Sequence, residues 1–255
     1  MIERPGTALV TGAARRVGRA IALHLAGRGW AVAVHYGTNG TDARTLAAEI
    51  EKKGGRAVAL KADLASEKAT AALLPRATEA LGPVTCLVNN ASIFEQDTVH
   101  TADVRSWNRH LAVNLRAPFV LMQAFQAALP RRARGNIVNI LDQRVWNLTP
   151  YFVSYTVSKT GLWTLTQTLA LALAPRIRVN AIGPGPTLPS LHQTAAQFRR
   201  QWQAVPLARP VTPDEIARAV AFILETPSMT GQMIALDGGQ HLGWGQVENC
   251  RTSDE

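Results

Sequence analysis

A tyrosine and a lysine stand four positions apart in the segment Ser-Tyr-Thr-Val-Ser-Lys, at Tyr155 and Lys159. On a helix, this spacing places both side chains on one face, about one turn apart. An ammonium group beside a phenol favours the phenolate and lowers the pKa of the phenol from about 10. The pair therefore predicts a tyrosine that acts as a general acid. The alternative is two exposed residues of an ordinary helix.

A glycine-rich segment, Thr-Gly-Ala-Ala-Arg-Arg-Val-Gly at residues 11–18, lies between a short apolar run and a helical pattern. Glycines at a strand-to-helix turn let the backbone approach a pyrophosphate, which the helix N-terminus then stabilises. Arg16 stands where the usual dinucleotide fingerprint has a central glycine. The segment predicts a dinucleotide site, and the alternative is a turn with a purely structural role.

Short apolar runs alternate along the chain with stretches of helical periodicity. The apolar runs cover residues 7–12, 31–37, 56–64, 84–92, 135–142, 177–185 and 232–239. The helical patterns cover residues 17–27, 42–53, 66–81, 103–129 and 151–174. Strands that alternate with helices form parallel sheets, and parallel strands that are buried on both faces are continuously apolar. The pattern predicts a single α/β domain, a doubly wound sheet of about seven parallel strands with helices on both faces.

We expect this domain to cover residues 1–245, followed by a polar tail at 246–255. An irregular, proline-rich piece interrupts the alternation late in the chain, and we expect residues 186–210 to form a substrate lid over the strand ends. Tyr155 and Lys159 belong to the helix after the fifth strand. Open α/β sheets bind ligands at the carboxyl ends of their strands, which is where this helix begins.

The composition excludes several classes of protein. Hydrophobic residues make up 47% of the 255 residues, so the chain can bury a large core. No apolar run approaches the ~20 residues that span a bilayer, and the N-terminus lacks a signal-peptide layout, so we expect a cytoplasmic protein. Two cysteines are too few for a disulfide framework or a cysteine-rich metal site, and we expect no metal. The formal charge of +9 comes mostly from scattered arginines, which suit anionic small molecules better than nucleic acid or a membrane.

Over essentially its whole length, the sequence resembles the short-chain dehydrogenase/reductase family. The resemblance is carried, in chain order, by residues 11–18, Asp63, Asn89-Asn90-Ala91, Asn114, Tyr155 with Lys159, Gly183-Pro184-Gly185 and Asp237-Gly238-Gly239. It implies a Rossmann fold in which Tyr155 exchanges a proton with the substrate. It also implies that Lys159 binds the nicotinamide ribose and that Asn114 completes a proton relay through water.

Pro118 lies four residues after Asn114 and has no N–H group, so a regular helix would leave the Asn114 carbonyl without its usual donor. We expect a kink in the helix at this place and a relay water on the free carbonyl. The alternative is that Pro118 merely bends a long helix around the core.

Departures from the wider family resemble its pteridine reductase branch. Asp142 stands thirteen residues before Tyr155, where most members have a serine, and Arg16 replaces the central glycine. Asn-Asn-Ala-Ser-Ile-Phe at residues 89–94 replaces the common Asn-Asn-Ala-Gly. The late segment Leu-Asp-Gly-Gly-Gln-His-Leu-Gly is also similar to that of bacterial dihydromonapterin or dihydrofolate reductase-like members.

That resemblance implies a pterin site. Phe94 would stack on one face of the pterin, opposite the nicotinamide. Arg16 and Ser92 would contact both the cofactor and the polar edge of the pterin. Asp142 and Tyr155 would manage the protons at the ring nitrogen next to the carbon that receives hydride. The implied substrate-binding residues are Arg16, Ser92, Phe94, Asp142, Tyr155 and Pro186, and the implied catalytic residues are Asn114, Asp142, Tyr155 and Lys159.

The choice of cofactor follows from the charges near the end of the second strand. NAD enzymes commonly place an acid there to bind the ribose hydroxyls, whereas residues 35–39 contain no carboxylate. Arg15, Thr38 and Asn39 are available to hold a 2′-phosphate, which favours NADPH, although Thr38 replaces the basic residue of many pteridine reductases. The implied cofactor-binding residues are Gly12, Arg15, Arg16, Val17, Tyr36, Thr38, Asn39, Asp63, Leu64, Asn90, Ala91, Ser92, Tyr155, Lys159, Pro184, Gly185, Thr187 and Leu188.

Together these features predict an NADPH-dependent reductase that transfers hydride to a C=N bond of a dihydropterin, dihydromonapterin or dihydrofolate. One alternative is a reductase of ketone or 3-oxoacyl substrates, which Asp142 disfavours because a carboxylate poorly replaces a neutral hydroxyl donor. Another is a non-catalytic NADPH-sensing protein, which the complete set of Asn114, Tyr155 and Lys159 disfavours. Apolar faces on the helices at 103–129 and 151–174 predict a homotetramer, since a monomer would expose them.

Overall fold

The structure, a computed structural model, describes residues 5–190 and 193–243. Its centre is one seven-stranded sheet in the order β3-β2-β1-β4-β5-β6-β7, in which every neighbouring pair is parallel. The strands are β1 (Thr7–Val10), β2 (Ala31–Tyr36), β3 (Ala57–Lys61), β4 (Val84–Asn89), β5 (Gly135–Ile140), β6 (Ile177–Pro184) and β7 (Met233–Leu236). The predicted doubly wound sheet is confirmed, while the predicted tail at 246–255 lies outside the described residues.

The helices lie on both faces of this sheet. They are α1 (Arg16–Gly27), α2 (Gly40–Lys52), α3 (Glu67–Ala71), α4 (Leu73–Leu81), α5 (Val104–Leu111), α6 (Ala117–Ala128), α7 (Val153–Leu173), α8 (Ala195–Gln203) and α9 (Pro213–Glu225). Helices α4, α6 and α7 pack on one face, and α1, α2 and α9 pack on the other. Successive strand residues point to opposite faces, so Leu9 joins the first apolar cluster and Val10 joins the second.

The predicted helix over residues 66–81 is wrong in one respect, because the structure divides it into α3 and α4 at Ala72. Pro75 explains the division, since it has no N–H to donate to the carbonyl of Ala71 and its ring crowds that carbonyl. The start of α3 is as expected, because the Ser66 hydroxyl accepts a hydrogen bond from the N–H of Ala69 at 3.3 Å.

The predicted helix over residues 103–129 is interrupted at Asn114, as the position of Pro118 indicates. The interruption takes the form of a π-helical segment, Ala112–Arg116, between α5 and α6, and the N–H of Ala117 donates to the carbonyl of Ala112. Single π-helical turns inside α-helices occur frequently at functional sites.

In the region predicted as a lid, residues 186–210, the described residues 186–190 and 193–210 contain one short helix. Helix α8 begins with a capping box, in which Thr194 and Gln197 each satisfy the other's backbone N–H. Among the residues that the structure describes, no helix is both long and apolar enough to cross a membrane. The same residues contain no cluster of three or more potential metal-ligating side chains.

Candidate active site

Asp142 and Tyr155, predicted to act together, are in direct contact. The Tyr155 hydroxyl donates to Oδ2 of Asp142 at 2.9 Å. Oδ1 of Asp142 accepts the N–H of Arg144 at 2.9 Å, and Asp142 thereby caps the short 3₁₀ helix Gln143–Val145 that follows β5. Both carboxylate oxygens are thus held, so the orientation of Asp142 toward Tyr155 is fixed by its own backbone loop.

The prediction that Lys159 lowers the pKa of Tyr155 is wrong. Tyr155 is only 5% exposed, and burial, followed by the charge of Asp142, raises the pKa of its phenol well above the usual value. The positive charge of Arg144 opposes this effect only in part. The phenol of Tyr155 is therefore neutral at physiological pH and has a proton to donate, which suits a general acid in the direction of reduction.

Lys159 lies on the same face of α7 as Tyr155, as its spacing predicts, but its ammonium is directed elsewhere. Nζ donates to the carbonyl of Ile140 at 2.8 Å and lies 5.7 Å from the centre of the Tyr155 ring. Burial lowers the pKa of Lys159 to about 8, while the charge of Asp142 acts to raise it. The ammonium is thus held at the end of β5, where its charge is sensitive to mildly alkaline pH.

The side chain of Asn114 holds the loop after β4. Its Nδ2 donates to the carbonyl of Ile93 at 2.9 Å and to Oγ of Ser158 at 3.1 Å, and its Oδ1 accepts the N–H of Ile93 at 2.8 Å. The Ser92 hydroxyl also lies 3.3 Å from this Oδ1. Asn114 therefore fixes the segment that carries Ser92 and Phe94, while its predicted part in a water relay depends on its main-chain carbonyl.

Phe94 belongs to an aromatic platform beside Tyr155. Its ring is stacked on that of Phe152 with 4.4 Å between centroids, and it meets Tyr155 edge-on at 4.8 Å. The guanidinium carbon of Arg144 lies 4.8 Å from the centre of the Phe152 ring, a cation–π contact. Phe94 remains 41% exposed, so it offers a flat apolar surface next to the phenol. Sequence reasoning missed Phe152, whose only signal is its position three residues before Tyr155.

The glycine-rich turn and the turn after β4 are locked together. The Thr11 hydroxyl accepts the N–H groups of Asn90 and Ala91 at 2.9 and 3.0 Å, and Nδ2 of Asn90 donates to the carbonyl of Thr11 at 2.8 Å. Gly12 has a φ of +61°, and a Cβ atom there would lie 2.9 Å from Cα of Ala91. This turn accommodates only glycine at position 12, because the approach and the backbone angle both exclude a side chain.

The turn has the features that a dinucleotide requires. Helix α1 begins without a capping side chain and without an acidic residue in its first turn, so its first N–H groups are open to a phosphate. Arg16 adopts a φ of 55°, the left-handed conformation for which glycine is normally chosen. The Arg16 guanidinium donates to the carbonyl of Leu188 at 3.3 Å, which connects this turn to the start of the predicted lid.

His35, to which the sequence assigned no role, supports the glycine-rich turn from β2. Its Nδ1 accepts the N–H of Gly12 at 3.0 Å, and its Nε2 lies 3.2 Å from the carbonyl of Ala62. These partners require a proton on Nε2 and none on Nδ1. Burial lowers the pKa of His35 to about 4, so the imidazole is neutral at physiological pH. A lone histidine in an apolar strand is the only signal in the sequence.

Several of the residues predicted to bind the cofactor lie near the carboxyl ends of β2 and β3 or at the start of α1. Arg15 forms an ion pair with Asp42 at the exposed start of α2, and the side chain of Asn39 makes no capping bond to α2. Oδ1 of Asp63 accepts the N–H of Ala65 at 2.9 Å. The remaining predicted residues of this region are Val17, at the start of α1, Tyr36, at the end of β2, Thr38, in the following turn, and Leu64, which is buried.

The loop after β6 contains the last group of predicted cofactor and substrate residues. A Cβ atom at Gly185 would lie 2.7 Å from Cα of Asp237, so Gly185 is required where this loop meets the end of β7. The Thr187 hydroxyl donates to the carbonyl of Gly185 at 2.9 Å, and the carbonyl of Pro186 accepts the N–H of Val211 at 2.9 Å. Hydrogen bonds at Gly185 and Pro186 therefore hold the first turn of this loop. The loop continues to Leu188, whose carbonyl Arg16 contacts.

Comparisons with known proteins agree with this architecture. A family model described as enoyl-(acyl carrier protein) reductase matches residues 12–241. A 3-oxoacyl-[acyl-carrier-protein] reductase of Synechocystis sp. is 32% identical over 91% of this chain and 95% of its own length. Glucose 1-dehydrogenase 2 of Bacillus subtilis is 32% identical over 95% of this chain and 97% of its own.

A solved structure is similar at higher identity. The crystal structure of FolM alternative dihydrofolate reductase 1 from Brucella canis, complexed with NADP, superposes with a TM-score of 0.93 and is 48% identical. The match covers 96% of this chain and 97% of that one. The similarity therefore extends through the whole sheet and the segments on which the candidate site is built.

Proposed function

The chain belongs to the short-chain dehydrogenase/reductase family, and we propose that it reduces a C=N bond of a pterin-type substrate with NADPH. The observation that carries the proposal is the hydrogen bond from Tyr155 to Asp142, 2.9 Å long, beside the exposed ring of Phe94. It joins a neutral proton donor to a carboxylate next to a flat apolar surface. The similarity to the FolM alternative dihydrofolate reductase supports the same substrate class.

Reduction of a C=N bond adds a hydride at carbon and a proton at nitrogen. NADPH supplies the hydride when it is bound, and the residues of the chain supply orientation and the proton. The buried phenol of Tyr155 is neutral and stands at the edge of the Phe94 ring. A pterin that stacks on Phe94 therefore presents its ring edge to a group that can donate a proton.

The carboxylate of Asp142 discriminates between classes of substrate. Pterins carry amide-like and amine N–H donors, which a carboxylate accepts through charge-assisted hydrogen bonds. A ketone presents only an acceptor oxygen, which a neighbouring carboxylate repels. Asp142 occupies the position of the usual serine and is already bound to Tyr155, so it favours the pterin over the ketone.

The groups that hold the cofactor are proposed from the same geometry. The open N-terminus of α1 and Gly12 face the pyrophosphate, and the ammonium of Lys159 at the end of β5 binds the nicotinamide ribose. Arg15, Thr38 and Asn39, near the end of β2, are proposed to hold the 2′-phosphate of NADPH. The ion pair of Arg15 with Asp42 is exposed, so a phosphate dianion can compete with Asp42 for the guanidinium.

A second candidate function is reduction of 3-oxoacyl or other ketone substrates. The curated relatives with about one third identity favour it, because several of them are named as 3-oxoacyl-[acyl-carrier-protein] reductases. The experiment is a panel in which purified protein oxidises NADPH, and in parallel NADH, with dihydromonapterin, dihydrofolate, a 3-oxoacyl thioester and a simple ketone. Turnover of the thioester without turnover of either pterin would contradict our proposal, and no turnover of any substrate would favour a non-catalytic NADPH sensor.

We also propose a homotetramer. An apolar surface groove between the π-helical segment, α6 and α7 is lined by Leu115, Phe119, Gly161 and Leu165, and Leu171 on α7 is 84% exposed. Packing of the same face of a second copy against it would bury both the groove and Leu171. Size-exclusion chromatography with light scattering at the mass of a monomer would contradict this assembly.

A further inference from the structure

A buried polar cluster lies behind the catalytic tyrosine and takes no part in the proposed chemistry. It consists of Asp97, His110 and Ser154, from the loop after β4, from α5 and from the first turn of α7 respectively, and all three are buried. The Ser154 hydroxyl contacts Oδ2 of Asp97 and lies 2.7 Å from Nδ1 of His110. Because Ser154 directly precedes Tyr155, the cluster is attached to the catalytic helix.

The hydrogen bonds of the cluster define where its protons lie. Nε2 of His110 accepts the N–H of Glu95 at 3.2 Å, so the proton of the neutral ring must be on Nδ1. Nδ1 therefore donates to Oγ of Ser154, and the Ser154 hydroxyl donates to the carboxylate of Asp97. The chain of donors ends on an oxygen of Asp97 that accepts, which makes this arrangement specific to the neutral form of His110.

The charged groups around His110 do not reverse the lowering of its pKa by burial. Burial lowers the pKa of His110, and Arg109 on the same helix lowers it further. Asp97 and Glu95 in the facing loop raise it, but Glu95 is itself paired with Arg109 at 2.6 Å. The group that faces His110 from α7, besides Ser154, is the neutral ring of Tyr155, with 6.1 Å between ring centroids.

The cluster also holds the backbone of Phe152. The N–H of Phe152 donates to the carbonyl of Asp97 at 2.7 Å, and the N–H of Ser154 donates to the Asp97 carboxylate at 3.2 Å. Phe152 has φ 60° and ψ 46°, a left-handed conformation that is uncommon for a bulky residue. In this conformation its ring lies parallel to that of Phe94, with 9° between the planes.

We propose that Asp97, His110 and Ser154 are positioning residues that fix the Phe94–Phe152 platform at the edge of Tyr155. The inference rests on the proposed function in so far as a pterin is the ring that stacks there. Strained backbone persists where the surrounding structure over-determines it, and such positions cluster at functional sites. Loss of the cluster should release Phe152 and weaken substrate binding, while the glycine-rich turn that faces the cofactor is left intact.

Protonation of His110 should have the same effect as a mutation. A proton on Nε2 would point at the N–H of Glu95, so this contact must break when the ring becomes charged. We expect the KM for dihydropterin to rise as the pH falls through the lowered pKa of His110. We expect the Kd for NADPH to stay constant over the same pH interval. Any pH dependence of this Kd that persists in a His110→Asn variant would come from other groups.

The experiment compares Ser154→Ala and Asp97→Asn with Ser228→Ala, which removes an exposed hydroxyl from the turn after α9, outside both the cluster and the apolar groove. In the first two, the KM for dihydropterin should rise about tenfold or more, with the Kd for NADPH within about twofold. The control should behave like the parent. A purely structural role would instead lower the melting temperature and leave the KM unchanged, and Ser154→Ala still tests the inference if Asp97→Asn does not fold.

A second readout does not depend on any pterin. Fluorine NMR of protein labelled with 4-fluorophenylalanine, with the signals of Phe94 and Phe152 assigned through Phe→Leu variants, reports the platform directly. Ser154→Ala should displace both signals and Ser228→Ala neither. Unmoved signals would overturn the inference whatever the substrate is, whereas displaced signals without any dihydropterin turnover by the parent would overturn only the proposed function.

Discussion

The hydroxyl of Tyr155 donates a hydrogen bond to the carboxylate of Asp142, with 2.9 Å between the oxygen atoms. This contact stabilises the protonated phenol, because a phenolate would face a second negative charge. It also places an acceptor for substrate N–H groups next to the proton donor. The two residues therefore form one hydrogen-bonded unit, and in the proposed mechanism the aspartate selects the substrate and keeps the tyrosine protonated.

Replacing Asp142 with serine should reverse the preference for substrate. Serine restores a neutral hydroxyl that can donate to a ketone oxygen, and it removes the acceptor for pterin N–H groups. We expect kcat/KM for dihydropterin to fall and kcat/KM for simple ketones to stay level or rise. Steady-state kinetics with both substrates at fixed NADPH measures the change.

Asp142→Asn is the matched variant, since it keeps the shape of the side chain and removes its charge. It should lower kcat/KM for dihydropterin, because an amide no longer accepts the pterin N–H groups through charge-assisted hydrogen bonds. If both variants reduce dihydropterin like the parent, Asp142 only caps the loop after β5, and the pterin proposal loses its main support.

Tyr155→Phe should abolish the proton donor with little effect on cofactor binding. Turnover is expected to fall by ~10²-fold or more, the usual scale for loss of a general acid, because the ring remains packed against Phe94 while the hydroxyl is gone. Fluorescence titration with NADPH should give a Kd close to that of the parent. Undiminished turnover would show that another group supplies the proton.

Lys159 should give the enzyme an alkaline limit. Burial lowers its pKa to about 8, so the ammonium is charged below that pH and neutral above it. Because a neutral amine binds the ribose and its phosphates less well, kcat/KM for NADPH should fall as the pH rises through about 8. Lys159→Ala should weaken NADPH binding, reduce turnover and remove the fall of kcat/KM at alkaline pH. If the variant shows the same fall, a group other than Lys159 causes it.

The sequence suffices for the features that depend on local pattern. Continuous apolar runs located the seven strands, and the spacing of Tyr155 and Lys159 placed both on one helix face. Pro75 could have revealed the division between α3 and α4. The direction of the pKa shift of Tyr155 could not be derived from spacing, because it depends on burial and on the charge of Asp142, while the Lys159 ammonium donates to the carbonyl of Ile140.

Contacts between residues far apart in the chain could not be predicted from the sequence for the same reason. Asp97 and Ser154 are 57 residues apart, and each alone is an ordinary polar residue. Phe152 gave no sign of its left-handed backbone, whose N–H donates to the carbonyl of Asp97 across 55 residues of chain. In contrast, an irregularity near Asn114 was predictable from Pro118, because the missing N–H of a proline is a local fact, although its π-helical form was not.

Arg15→Glu should weaken NADPH far more than NADH. The guanidinium beside α2 is the proposed partner of the 2′-phosphate, and an acid in its place repels that group. The Arg15–Asp42 ion pair provides a control, because Asp42→Asn frees the guanidinium and should preserve or strengthen NADPH binding. Equal losses of both cofactors in Arg15→Glu would show that Arg15 does not discriminate between them.

His35 should make the stability of the fold dependent on acid pH. Burial lowers its pKa from the usual 6.5 to about 4, so between these values the unfolded chain binds a proton that the folded one does not. Stability is then complete above about pH 6.5 and falls toward pH 4, by about 1.4 kcal/mol per pH unit for this group. His35→Asn keeps an acceptor for the N–H of Gly12 but cannot titrate, so its free energy of unfolding in urea should have a shallower slope with pH.

His24 and His110, whose pKa values are also lowered, contribute equally to both proteins. The difference between the slopes therefore isolates His35, and identical slopes would mean that the folded protein accepts a proton on this ring.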